Sequence, residues 1–152
     1  MHLPTYLTLL DSSERSLAHS YRLVSTGHAD EPDVHYACAG FARCCAGHAE
    51  ALTAPLHRYD DRRQPEPERL YPERLAATRD GAIGLLRDLQ DLYQLANLVE
   101  ITWTLIGQAA YGARDRALID LVARCRPEID AQLAWLRMRM QAAAPQTLLV
   151  AP

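Results

Sequence analysis

The chain has 152 residues, with 16 basic and 19 acidic side chains and a formal net charge of -3. That length makes one domain, with a core large enough to need no disulfide or structural metal as a staple. The mild acidity, with a pI near 6.0, argues against nucleic acid or an anionic membrane surface as a partner.

All the strong bases are arginine, since the chain contains no lysine, which reads as the composition of a GC-rich genome rather than as phosphate recognition. The opening MHLPTYLTLLDSSER has no basic n-region, long apolar run or small-residue cleavage site, so a cytoplasmic protein is expected. The four cysteines, Cys38, Cys44, Cys45 and Cys125, follow no secreted framework and no paired zinc signature, and free thiols are expected.

Four helical segments follow in chain order. Leu7, Leu10, Leu17, Tyr21 and Val24 recur at steps of three and four, the apolar stripe of an amphipathic helix that Gly27 ends. Asp30-Glu31-Pro32-Asp33 then supplies a capping carboxylate, an early proline and first-turn negative charge, and so starts a second helix. This helix carries Cys38, Phe41, Cys45, His48 and Leu52 on one face and ends or kinks near Pro55. The stretch YDDRRQPEPERLYP, Tyr59 to Pro72, is charged and rich in proline and reads as a surface connection.

A third helix is expected from near Glu73 towards Tyr111, bent or interrupted around Gly81 and Gly84 and closed by Gly112. Its Leu92 to Ala113 approaches the length of a membrane span, but Gln94, Asn97, Glu100, Thr102, Thr104 and Gln108 carry too much polarity for hydrocarbon. A buried core helix is the expectation, with no membrane as partner. Asp115 caps a fourth helix through Leu118, Leu121, Cys125, Ile129, Leu136 and Met140, which Pro127 is expected to kink. With no strand alternation or repeat, the fold class is all-α, an antiparallel four-helix bundle over residues 1–145.

The charged residues inside the apolar pattern point to a site. Glu100 shares a helical stripe with Leu86, Leu89, Tyr93, Ala96 and Trp103, and Glu14 falls between Leu10 and Leu17. Two glutamates on buried faces require partners, because an unpaired carboxylate inside is costly. Folding back about a turn near residue 30 sets Glu14 opposite Cys45 and His48; folding back near residue 113 sets Glu100 opposite Cys125 and Glu128. Both sets lie about 20 Å from their turns, close to one plane. The other histidines, His2, His19, His28, His35 and His57, are expected at the surface or at helix ends, and Cys44 on a different face from Cys45, merely packed.

This arrangement resembles the ferritin-like superfamily, in which two helices each give a Glu and two each give Glu-x-x-His around a pair of metals. Glu14 and Glu100 match the single glutamates and His48 the histidine of the second helix, while Cys45 and Cys125 stand at glutamate positions and Glu128 at a histidine position. The resemblance implies a crossover at the 59–72 connection and a transition-metal cofactor held by Glu14, Cys45, His48, Glu100, Cys125 and Glu128. Iron and manganese are the hard-ligand choices, and the thiols shift the balance towards zinc or copper. Two alternatives need no metal: a buried polar network in which the glutamates bond to His48, Tyr21 or Tyr93, and a pocket for a small molecule.

No Ser-His-Asp set, Walker loop or dinucleotide fingerprint assigns an enzyme class. The last seven residues, QTLLVAP (146–152), form an apolar tail that packs on its own bundle, joins a dimer or docks on a partner. A homodimer is expected. The rival to a metal-binding bundle is a metal-free structural or interaction protein that dimerises or is recruited through apolar helix faces or this tail.

Overall fold

The computed structural model describes residues 1–151, and no strand occurs among them. Four long helices carry the fold: α1 (Leu3–Gly27), α2 (Pro32–Ala51), α4 (Gly81–Ala113) and α5 (Arg116–Pro145), with a short α3 (Thr53–Tyr59) after α2. A single 3-10 turn, Asp60–Arg62, extends α3, and a π-helical turn, Gln146–Val150, extends α5. The expected all-α, four-helix character is observed. The expected tail holds three exposed apolar side chains, Leu148, Leu149 and Val150, and its last residue, Pro152, lies outside the described residues.

Each helix begins or ends for a local reason. Pro32 opens α2 with Asp33 in its first turn, where a missing backbone donor is harmless and negative charge meets the helix dipole. Pro55 does not kink α2, because α2 stops at Ala51 and Pro55 falls in the first turn of α3. Asp115 caps α5 by accepting the Leu118 amide at 3.0 Å, and also accepts the Tyr59 hydroxyl at 2.9 Å. Arg114, not Gly112, takes the left-handed position that ends α4, at φ 54°.

The start of the third long helix differs from expectation by eight residues. Glu73–Asp80 is not helical, and α4 begins at Gly81, where φ is +75°. The competing force is tertiary. The 63–80 segment runs along α1 from one end to the other, with Arg63 donating to Thr8 Oγ1 (3.0 Å), the Leu75 amide to Ser20 Oγ (3.0 Å), and Thr78 lying against Gly27. It is pinned at its end by Asp88, whose carboxylate accepts the Arg79 amide at 2.9 Å, the Arg79 guanidinium at 2.6 Å and His28 Nε2 at 2.8 Å. His28 thus stands at a helix end, as the C-cap of α1, but is buried there rather than exposed.

The core lies between α1, α2, α4 and α5. Its largest enclosed side chains are Trp103 and Tyr21, packed with Leu7, Leu10, Leu17, Leu89, Ile106, Leu118, Ile129 and Leu136. α1 packs against α2 and α4, and α5 against α4 and α2. Among the described residues, no helix is long and apolar enough to cross a membrane.

Candidate metal centre

The apolar stripe of α1 buries Glu14 completely between Leu10 and Leu17. Its Oε1 accepts two hydrogen bonds, from His48 Nδ1 at 2.9 Å and from Trp103 Nε1 at 2.7 Å. His48 comes from α2 and Trp103 from α4, so one carboxylate oxygen joins three helices at mid-bundle. Because Nδ1 donates to Glu14, the imidazole is oriented with Nε2 turned away from α1.

What Nε2 meets is a thiol and a second carboxylate. Cys44 Sγ lies 3.5 Å from Nε2, one turn back on α2, and Glu128 Oε2 of α5 lies 3.4 Å from Nε2. The Cys44 thiol donates to the same Glu128 oxygen at 2.6 Å. Ligand atoms of Cys44, His48 and Glu128 all lie within 4.8 Å of one another, so these three side chains could hold a metal ion. His48 is 5 % exposed, Cys44 is half-buried and the Glu128 side chain is 57 % exposed. The group therefore opens to solvent between α2 and α5.

Burial works against a charged His48, but hydrogen bonds with Cys125, Cys44 and Glu14 and the attraction of the Glu14 charge outweigh it, raising its pKa to about 12. A protonated imidazole thus bridges Glu14 and the Cys44–Glu128 pair. Cys45 behaves differently: burial, then the nearby Glu14 charge, push its thiol far up, and its Sγ donates to Gln132 Oε1 at 3.6 Å. It stays a neutral thiol in the core. Glu14 Oε2, Tyr21 Oη and Gln132 Nε2 are buried with no hydrogen-bond partner among the described residues.

Among the residues expected to bind metal, the structure brings Glu14, His48 and Glu128 together, with Cys125 buried on α5 about one turn before Glu128. Cys45 is buried in the core against Gln132 and is not part of the Cys44–His48–Glu128 group. Glu100 is not brought to them. Its carboxylate accepts Thr104 Oγ1 at 2.8 Å and Arg126 Nε at 3.1 Å, on the α4–α5 flank, with the side chain 20 % exposed. The buried stripe of α4 runs through Leu85, Leu89, Leu92, Ala96, Val99, Trp103 and Ile106, which leaves Glu100 beside it, not on it. Trp103 is what reaches Glu14 from α4.

Cys44 and Trp103 are the two site residues the sequence reading passed over. The signal for Cys44 was its i, i+4 spacing to His48, which stacks both on one helix face as well as the i, i+3 spacing from Cys45 does.

Cys44, His48 and Glu14 also line up as nucleophile, base and orienting carboxylate. That order alone does not build acyl-transfer chemistry. Cys44 sits in the middle of α2, where the surrounding backbone amides are committed to the helix and none is free to stabilise an oxyanion. The thiol, imidazole and carboxylate that converge here from two helices are instead a group that could hold a metal ion. In comparisons with known proteins, no family model, no curated protein and no solved structure matches the chain.

Proposed function

We propose that this protein is a metal-binding helical bundle holding one zinc-class ion through Cys44, His48 and Glu128, with Glu14 as the carboxylate that orients His48. One observation carries the reading. In a tetrahedral zinc site the edge between a thiolate and an imidazole ligand is about 3.6 Å and that between imidazole and carboxylate about 3.3 Å, from ordinary metal–ligand lengths. Cys44 Sγ and His48 Nε2 are 3.5 Å apart, and His48 Nε2 and Glu128 Oε2 are 3.4 Å apart. The third edge, Cys44 to Glu128, is 2.6 Å, shorter than the roughly 3.5 Å of a tetrahedral site, so the exposed Glu128 would move outward as an ion enters. An ion takes the place of the thiol proton and of the one on Nε2.

The Glu14–His48 bond supplies what metal-bound histidines commonly have, a carboxylate on the far ring nitrogen. One thiolate and one imidazole favour zinc or copper over iron and manganese. With three protein ligands and an exposed Glu128, the fourth position faces solvent, which suits an ion that is exchanged, sensed or used.

The ferritin-like resemblance belongs to the same reading. It is supported by the 63–80 segment running the length of α1, as a crossover between two helix pairs does, and by the close packing of α1 on α2 and of α4 on α5. A paired-metal centre has less support than a single ion, since Glu100 stands apart with Arg126.

Metal content of untagged protein purified without chelator tests the reading, followed by cobalt(II) substitution. About one equivalent of ion and an intense thiolate-to-cobalt absorption, both lost in Cys44→Ser and kept in Cys45→Ser, are expected. Loss in Cys45→Ser but not Cys44→Ser would favour the core site of the ferritin-like pattern, and no metal in any preparation the metal-free interaction protein.

A further inference from the structure

Glu14 Oε2, Tyr21 Oη and Gln132 Nε2 lack a hydrogen-bond partner among the described residues, and none of the three residues is more than 1 % exposed. Bulk solvent does not reach them, and a buried polar group left unpaired costs more than an ordinary hydrogen bond returns. Cys45 of α2 ties the three to one place. Its Sγ donates at 3.6 Å to Gln132 Oε1, the other polar atom of the same amide. Burial first, and then Glu14, raise the Cys45 thiol; burial first, and then Cys45, Cys38 and Glu14, raise the Tyr21 hydroxyl. The levels of the two helices agree. Glu14 bonds to His48, and Tyr21 stacks on Phe41 with ring centroids 5.3 Å apart, so Cys45 falls between those two pairs. An aromatic side chain on a helix leans towards the N-terminus, which carries the Tyr21 hydroxyl from the level of Phe41 towards that of Cys45 and Glu14. The other buried side chains of this layer include Ala18 and Ala42, whose small size favours a molecule of solvent between the helices.

We propose that this layer is a binding site for one ordered water molecule, held by Glu14, Tyr21, Gln132 and Cys45. The chemistry of the four groups selects water. Tyr21 Oη and Gln132 Nε2 donate to its two lone pairs, while Glu14 Oε2 and, more weakly, Cys45 Sγ accept its two hydrogens. A cation is disfavoured, because Gln132 Nε2 presents only hydrogens to it; an anion is disfavoured by the Glu14 carboxylate. Internal waters of this kind commonly make about three hydrogen bonds to buried groups that nothing else satisfies. The water gives Glu14 a partner on its second oxygen, where the first is already committed to His48 and Trp103, and so completes the setting of a carboxylate that has no solvent around it. None of its four partners is a ligand of the proposed ion, so the site is filled with or without metal.

A high-resolution crystal structure of the whole chain, with and without metal, tests this. In both, a solvent atom is expected within about 3.2 Å of Glu14 Oε2 and of Tyr21 Oη or Gln132 Nε2. Tyr21→Phe supplies a second reading, because its sign differs between the two possibilities. A hydroxyl that bonds to a bound water is a partner lost, and the urea midpoint falls; a hydroxyl with no partner is a burden removed, and the midpoint rises. The midpoint is expected to fall. A rise overturns the proposal. So does a crystal in which Tyr21 bonds directly to Glu14 with no solvent atom between them, or in which the atom found there has the anomalous scattering of a metal. The crystal of the parent chain decides even where Tyr21→Phe does not fold.

Discussion

His48 donates through Nδ1 to the fully buried Glu14 at 2.9 Å, and the same Glu14 oxygen takes the indole hydrogen of Trp103 at 2.7 Å. One oxygen thus fixes the ring that carries the candidate metal ligand. Glu14→Gln keeps the size of the side chain and removes its charge. With the three ligands unchanged and the orienting bond weakened, the protein should then bind metal about 10–100-fold less tightly, measured by competition with a chromophoric chelator. Glu14→Ala does more, leaving His48 and Trp103 without an acceptor inside the bundle, and should lower stability by about 3–5 kcal/mol. An unchanged affinity in Glu14→Gln would separate Glu14 from the site.

The pH dependence has opposite signs with and without metal. In the metal-free protein His48 is raised from an unfolded value of about 6.5 to about 12. Its contribution to stability is complete below the unfolded value and is lost as pH rises through the folded one, so the metal-free bundle should melt progressively lower from neutral to alkaline pH. Metal must displace the Nε2 proton and the Cys44 thiol proton, so affinity should increase with pH, by up to about 100-fold per unit where both protons are released. The gap in melting temperature between loaded and metal-free protein should therefore widen as pH rises. A gap that narrows contradicts this assignment of the protons.

Glu100 shows how far the residue pattern alone reaches. The pairing of Glu14 with His48 is centred on residue 31 and that of Glu100 with Arg126 on residue 113, so the expected folding-back points were correct and both glutamates stand at the expected heights. What failed was rotation about the helix axis. The segment Leu92 to Ala113 is apolar nearly all round, and when every face looks buried the 3.6-residue period no longer says which one is. Glu14 was placed correctly because α1 has a polar face to contrast with. Cys44 was missed for a related reason: next to Cys45, either thiol fits the helix face opposite α1, and only the position of α5 decides which one meets Glu128.

Glu100 should accordingly behave as a flank residue. Its Arg126 partner is half-exposed, and exposed ion pairs contribute little. Glu100→Leu should shift the unfolding free energy by less than about 1 kcal/mol and leave metal stoichiometry as in the parent. A large loss of bound metal in this variant would put Glu100 back in the site and a paired centre back in consideration.

The crossover makes the last prediction, because it sets two glycines against each other in sign. Replacing glycine by alanine inside a helix normally helps by roughly 0.5–1 kcal/mol, since glycine gives up more backbone freedom on folding. Gly47, exposed on α2 with nothing within 4 Å of a Cβ placed there, should follow that rule. Gly84 should not. A Cβ on it would come within 2.8 Å of the Arg79 carbonyl carbon, and that atom is backbone held by two bonds from Arg79 to Asp88. The segment must move or the helix start must open, and either change loosens the bonds that Asp88 makes to Arg79 and His28. Gly84→Ala should thus destabilise by about 1–3 kcal/mol, seen as a lower urea midpoint, with faster proteolysis confined to 63–80, while Gly47→Ala raises the midpoint. Equal shifts of the same sign would mean that the crossover is not clamped at Gly84.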